Sequence, residues 1–148
     1  MTKEKILIVE DEQGIAIMEK NYLVKNDFSV DIANDGSKAL EMIEKNKYDL
    51  VVLDLMIPKI SGEEVLREIR LNSDLPVILV TAKVHETDVI SGFRDGADDY
   101  LKKPFSGLEL VERVKAILRR SKTKEVKFIE SKDGNIKFDA ENLRLLKN

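Results

Sequence analysis

The sequence predicts a doubly wound α/β fold, a five-stranded parallel sheet with helices on both faces. Three observations carry this expectation. Five short apolar runs recur along the chain: KILIVE (5–10), SVDIAN (29–34), LVVLDL (50–55), PVILVTA (76–82) and DYLKK (99–103). Amphipathic segments of helical spacing alternate with them. Turn signals at Asn34-Asp35-Gly36, Pro58, Ser61-Gly62 and Asp95-Gly96 separate the units.

The first, third and fourth runs are nearly continuous in apolar residues, as parallel strands covered on both faces require. The helices between the runs are read from Ile15, Met18 and Tyr22, from Ala39, Met42 and Ile43, and from Val65 and Ile69. Val111, Val114 and Leu118 mark a last one. Ser61 precedes Glu64 by three positions, the spacing of a capping box. The segment HETDVISGFR (85–94) makes a weaker helix, because β-branched residues and a glycine lower its propensity.

A length of 148 residues suits one ordinary domain with a short appendage. Hydrophobic residues at 43% and charged residues at 36% describe a globular chain with material for a core. The absence of cysteine excludes disulfides, thiolate metal sites and thiol chemistry, and accords with a reducing compartment. The opening MTKEKILIVE is too short in apolar residues for a signal-peptide core, and no run reaches membrane-spanning length, so a cytoplasmic location is expected. A net charge of -3 gives no overall drive toward nucleic acid or anionic lipid. From Lys122 to Asn148 there are seven basic and five acidic residues, a net of +2, which leaves -5 on the first 121 residues. That shift, with the polar stretch SKTKE, places a domain at 1–121, a linker at 122–134 and a separate strand-forming segment at 135–148.

In open parallel sheets, ligands gather at the carboxyl ends of the strands where strand order reverses. Glu10, Asp11 and Glu12 follow the first run, and Asp54 lies near the end of the third. Thr81 lies at the end of the fourth, and Lys102, Lys103 and Pro104 lie at the end of the fifth. Asp54 interrupts the apolar stretch Leu50–Ile57, with no basic residue until Lys59, so its charge needs compensation from elsewhere in the chain. Glu12 and Lys102 read as solvated charges. Glu10, Asp11, Asp54, Thr81 and Lys103 together make a phosphoryl-transfer set. Oxygen-only ligands suit a hard cation such as Mg²⁺, a lysine adds positive charge, and an aspartate attacks. Zinc is not expected with no Cys and a single His.

The stretches ILIVEDE, VVLDLMIPKISGEEVL, VILVTAK and GADDYLKKPFSGLELVERVKAILRR resemble the receiver domain of bacterial two-component response regulators, in order and spacing, over residues 1 to about 121. The resemblance implies a flavodoxin-like sheet of order 2-1-3-4-5. It implies that Asp54 accepts a phosphoryl group from a sensor histidine kinase, and that Asp54 and Asp11 contact Mg²⁺ while Glu10 acts mainly through water. The backbone carbonyl of Met56 becomes a further metal ligand. Thr81 binds a phosphoryl oxygen, Lys103 is the lysine before a cis-proline, and Tyr100 is the aromatic that turns inward on activation. Such a protein is a signalling switch that catalyses its own phosphorylation and dephosphorylation, rather than an enzyme with a separate substrate. The positions two after Asp54 and two after Thr81 hold Met56 and Lys83, neither suited to positioning a water, so slow self-hydrolysis is expected. His85 reads as a solvated surface residue.

The end of the match resembles the winged-helix transcription-factor subfamily. Those receivers form homodimers on phosphorylation through helix 4, strand 5 and helix 5. Asp98, Asp99, Glu109, Arg113 and Arg120 match its charged positions, and Ile90 and Phe93 offer apolar area. Val89 stands where a basic partner for Glu109 is usual, which puts the register and strength of the dimer in doubt. Ile136–Phe138 and Leu143–Leu146 read as two short strands resembling the sheet that opens a winged-helix domain, so the chain is expected to be a fragment of a longer regulator, a naturally short receiver being the alternative.

Haloacid-dehalogenase-type phosphatases also end a strand with a nucleophilic Asp, but they need a second Asp where Met56 stands. A dinucleotide-binding module needs a glycine-rich loop where this chain has the acidic VEDEQG. A phosphate-independent pseudo-receiver normally lacks part of the acid, threonine and lysine set. DNA contact is expected only through a domain outside these residues, because sequence readout needs an element presented to a groove with basic support. In a mobility-shift assay at moderate salt with competitor DNA, the 148-residue chain is expected to leave the regulator's own promoter unshifted, and a specific shift would contradict that assignment.

Overall fold

A computed structural model describes residues 3–82 and 85–130, with side chains described through Lys122. The elements alternate in chain order: β1 (Lys5–Val9), α1 (Gln13–Lys25), β2 (Ser29–Ala33), α2 (Gly36–Lys45), β3 (Leu50–Leu53), α3 (Gly62–Asn72), β4 (Val77–Thr81), α4 (Glu86–Arg94), β5 (Asp99–Lys102) and α5 (Gly107–Glu130). The five strands form one parallel sheet of order β2-β1-β3-β4-β5. The chain runs outward from β1 to β2, then crosses back to β3 on the other side of β1. The reversal of strand order therefore lies between β1 and β3, and register pairs Val9 with Leu53 there.

Strand composition follows position in the sheet. The central strands β1, β3 and β4 are buried almost throughout, and their β-branched and leucine side chains feed both faces. One cluster joins Leu7, Val9, Val51, Leu53, Val77 and Leu79 to the inward residues Ala39 of α2 and Val65, Leu66 and Ile69 of α3. The edge strands β2 and β5 carry the polar residues Ser29, Asp31, Asp99 and Lys102. Asp35 caps α2 by accepting the Lys38 backbone N–H at 2.7 Å, and Ser61 caps α3 by accepting that of Glu64 at 3.2 Å.

Helix α1 departs from the expected face. Its fully buried positions are Ala16, Glu19 and Leu23, while Ile15 and Met18 are half-buried and Tyr22 is exposed. The ring of Tyr22 instead covers Gly107 at the start of α5, where a Cβ would collide with it. The buried register is shifted by one position from the expected one, so that Glu19 faces inward between Ala16 and Leu23.

The chain divides into two compact units, Met1–Val114 and Lys115–Asn148, with the division inside α5. The linker expected from Lys122 begins as helix, since α5 continues to Glu130. The stretch 121–130 has no Gly or Pro to stop it. The expected strands within 135–148, and Lys83, lie outside the described residues. Among the described residues no helix is long and apolar enough to cross a membrane.

Burial, and secondarily the charge of Glu10, pushes the Glu19 carboxyl up to about 8, against the opposing pull of Lys103. Between the unfolded value of 4.5 and about 8 the folded chain holds more protons than the unfolded one, so this residue makes stability fall as pH rises. Glu19→Leu is expected to raise the urea midpoint at pH 8 by the equivalent of roughly 1–3 kcal/mol, and by clearly less at pH 4.5.

Candidate functional site

Two carboxylates and one ammonium meet where the sheet reverses order. Glu10 and Asp54 each lie one residue past the carboxyl end of a strand, β1 and β3. The Asp54 backbone N–H donates to the Val9 carbonyl at 3.0 Å, which locks these two strand ends side by side. Lys103, just past β5, reaches across: its Nζ donates to Glu10 Oε1 at 2.6 Å and to Asp54 Oδ2 at 2.8 Å. Its own backbone N–H donates to the Thr81 carbonyl at 2.9 Å, and the Lys103–Pro104 peptide is cis. The other carboxylate oxygens take backbone donors, Asp54 Oδ1 from Met56 at 3.0 Å and Glu10 Oε2 from Glu12 at 3.2 Å.

Burial makes this cluster electrostatically demanding. Glu10 is 2% exposed and Asp54 5% exposed, and Asp11 beside them is open to solvent. Burial raises the pKa of Glu10, with the Lys103 hydrogen bond and the Glu12 N–H opposing it and the charge of Asp54 reinforcing it. Burial opposes the charge of Lys103, but its hydrogen bonds to Asp54 and Glu10 outweigh this and raise its pKa. Carboxylate oxygens of Glu10, Asp11 and Asp54 lie within 4.8 Å of one another. The donor set is hard and all-oxygen, as Mg²⁺ requires.

The surrounding loops hold this geometry. Gly62, at the start of α3, lies so close to the Asp54 carbonyl and Leu55 that any Cβ would overlap their backbone, and its N–H donates to the Leu55 carbonyl at 3.0 Å. Thr81 is fully buried at the end of β4, paired in register with Lys102. Tyr100 is half-buried against the core, and its ring lies near Gly92 of α4. Burial, then the charges of Asp88, Glu63 and Asp54, raises the Tyr100 pKa. The Met56 side chain is exposed.

Four of the five charged residues expected on a dimer face, Asp98, Asp99, Glu109 and Arg113, are already engaged within the chain. Arg113 donates through one nitrogen to both oxygens of Asp99, at 3.0 and 2.9 Å, and through the other to Glu109 at 3.2 Å. Asp98 accepts from Arg70 of α3 at 3.0 Å and from the Val77 N–H at 2.8 Å. Arg70 also donates to the carbonyls of Gly96 and Leu75, at 2.9 and 2.6 Å. Ile90 and Phe93 are each 47% exposed on α4, and Arg120 is exposed on α5. Two contributors escaped the sequence reading. The spacing Ala16–Glu19–Leu23 carried a helical signal for Glu19, whereas the role of Arg70 depends on a turn brought to it from a distant part of the chain and had none.

Comparison with known proteins places this geometry among relatives. The family model described as response regulator receiver domain matches residues 6–115. The response regulator ArlR of Staphylococcus saprophyticus is 47% identical over 122 residues, covering 82% of this chain and 56% of that protein. The transcriptional regulatory protein SrrA of Staphylococcus aureus is 43% identical over 122 residues, covering 82% and 51%. The chain thus spans about half the length of these curated relatives. A CheY-like response regulator receiver domain protein of Methanospirillum hungatei has a similar structure, with a TM-score of 0.79 at 28% identity over 82% of this chain and 98% of that one. The response regulator DrrB of Thermotoga maritima, an OmpR/PhoB homolog, gives 0.75 at 34% identity over 81% and 54%.

Removing the shared ammonium leaves two buried carboxylates facing each other. Lys103→Met is expected to cost on the order of 2–4 kcal/mol at pH 7, with a smaller loss near pH 5 as the more easily protonated carboxylate takes up a proton. Urea unfolding at the two pH values measures both.

Proposed function

The chain belongs to the response regulator receiver domain family, and on that premise we propose that Asp54 accepts a phosphoryl group from a sensor histidine kinase in a Mg²⁺-dependent reaction that switches conformation and self-association. The observation that carries this reading is the Lys103 bridge between Glu10 and Asp54 beside the solvent-open Asp11. It holds a buried aspartate oriented and next to an oxygen-only cluster that suits a cation.

In the proposed reaction an Asp54 carboxylate oxygen forms a bond to phosphorus while the phosphorus–nitrogen bond of the donor phosphohistidine breaks, its electron pair returning to the imidazole. Asp11, Asp54 and the Met56 carbonyl would hold a Mg²⁺ ion directly and Glu10 would act through water, and the ion would supply charge that neutralises the phosphoryl oxygens. The Met56 N–H holds one Asp54 oxygen, Lys103 follows the developing phosphoryl charge, and the Thr81 hydroxyl takes a phosphoryl oxygen. Tyr100, half-buried beside α4, is the aromatic whose position reports the change. Self-dephosphorylation is slow, because the exposed Met56 brings no acid or amide to an attacking water.

The output proposed is transcriptional, exerted by a regulator in which residues 1–121 are the receiver and DNA is contacted elsewhere, in the cytoplasm. Support comes from the relative named as a transcriptional regulatory protein. Self-association through α4, β5 and α5 is proposed to rest on Ile90 and Phe93. Asp99 and Glu109 are paired with Arg113, and Asp98 with Arg70, so cross-subunit pairs involving these four would compete with bonds already made.

A small phosphodonor with Mg²⁺ is expected to add one hydroxylamine-sensitive phosphate, and Asp54→Asn to abolish it, whereas undiminished labelling of that variant overturns the assignment. Asp11→Ala is expected to lose cation affinity, whereas Lys103→Ala keeps it and loses the active conformation. Beryllofluoride is expected to shift the mass seen by light scattering, and Phe93→Asp to prevent the shift.

A further inference from the structure

Four of the five strand ends supply the residues of the proposed phosphoryl transfer, and the end of β2 supplies none. The turn that follows β2, Asp35–Gly36, instead packs on the loop that follows β3. The Gly36 N–H donates to the Pro58 carbonyl at 3.3 Å, and the Asp35 carboxylate pairs with the Lys59 ammonium at 3.6 Å. A Cβ on Gly36 would overlap the Ile60 carbonyl, so the two backbones meet as closely as glycine allows. Asp35 is itself fixed, because its other oxygen caps α2 through the Lys38 N–H. The loop held in this way is strained. The Ile60 N–H also donates to the Pro58 carbonyl, at 3.0 Å, and Lys59 between them has a φ of 72°, the rare left-handed form of a γ-turn. Such a backbone conformation persists in a lysine only where its surroundings over-determine it. Here those surroundings are the Asp35 carboxylate, the Gly36 N–H, and Ile57 and Ile60 packed partly buried against the core.

We infer that the Asp35–Gly36 turn is a positioning element of the phosphoacceptor site. By gripping the strained turn at Pro58–Ile60, it sets where the Met56 backbone lies, and with it the orientation of Asp54 and of the Met56 carbonyl. Pro58 is two residues beyond Met56, whose N–H donates to Asp54 Oδ1 at 3.0 Å. The loop is closed at its far end by the Gly62 N–H on the Leu55 carbonyl, so a displacement at Pro58 and Ile60 is passed along a short, tied segment rather than absorbed. Neither Asp35 nor Gly36 touches a reacting atom. The inference rests on the reading proposed above for the role of the Met56 carbonyl toward a cation. The hold on Asp54 through the Met56 N–H does not depend on a cation.

The test compares Gly36→Ala with Tyr48→Phe in the 148-residue chain. Tyr48→Phe removes a hydrogen bond to Asp31 before β3, at the end of the sheet away from the rim, and controls for lost stability. Without any cation, Gly36→Ala is expected to shift the Met56 amide resonance and to speed its hydrogen exchange by about fivefold or more. In calorimetry it is expected to weaken Mg²⁺ binding by about tenfold. Tyr48→Phe is expected to leave all three at the wild-type values. A Met56 amide unchanged in Gly36→Ala overturns the inference and leaves the phosphoacceptor reading intact, and an equal change in Tyr48→Phe also overturns it. Wild-type Mg²⁺ affinity in Gly36→Ala beside a shifted amide overturns the part that concerns the Met56 carbonyl. No Mg²⁺ binding by the wild-type chain overturns the cation reading, and the Met56 amide still decides the hold on Asp54. If Gly36→Ala does not fold, Lys59→Gly takes its place. Relief of the φ strain is then expected to raise the urea midpoint while freeing the loop, so that Met56 exchange quickens as stability rises. Slower or unchanged exchange in that variant is the result of a merely structural turn and overturns the inference.

Discussion

The rest of the site depends on one shared ammonium. Glu10 and Asp54 are brought together by the backbone, whether or not their charges welcome it, because they follow two adjacent parallel strands whose ends are hydrogen-bonded. Lys103, at 2.6 and 2.8 Å from the two carboxylates, offsets a repulsion that the low-dielectric interior makes large. The raised pKa of Glu10 shows that the offset is partial: burial still outweighs the lysine there. The cluster keeps more carboxylates than ammonium groups and opens to solvent at Asp11.

The fold supplies the positions and the loops set the fine geometry. Crossing from β2 back to β3 puts β1 and β3 side by side with nothing between their carboxyl ends. The loop after β3 then folds tightly enough for α3 to start against the Asp54 backbone, which only glycine permits at position 62. The same loop supplies the Met56 N–H that fixes one Asp54 oxygen. Backbone donors cost no side-chain entropy to hold in place, so the Asp54 carboxylate is oriented by the loop itself.

Away from the rim, ion pairs close on the chain itself. Arg113 gathers Asp99 and Glu109, and Arg70 of α3 bonds Leu75 in the loop before β4 and spans to Gly96 and Asp98 of the α4–β5 turn. Arg113, one helical turn along α5, takes the Glu109 carboxylate. Such pairs are individually weak at a surface, yet together they reduce the charge available to a partner and leave Ile90 and Phe93 as the prominent apolar features of α4.

By itself the sequence determined the fold class, the strand and helix alternation, and the residues at the strand ends. Each of these follows from local signals, namely uninterrupted apolar runs, helical spacing and turn residues, which act over a few positions. Glu10, Asp54, Thr81 and Lys103 were legible for the same reason, since the residue that follows a parallel strand is placed at the rim by chain direction. What the tertiary structure decided lies where several elements compete for the same space. The rotation of α1 buries Glu19 with Ala16 and Leu23 and sets the exposed Tyr22 ring over Gly107, a position no other residue could share. The partners of Asp98 and Glu109 are settled by which guanidinium lies nearest once the elements have packed. Spacing along a chain carries the period of a helix, but not the choice among neighbouring faces or counter-ions, because that choice is a difference in packing and desolvation between residues far apart in sequence.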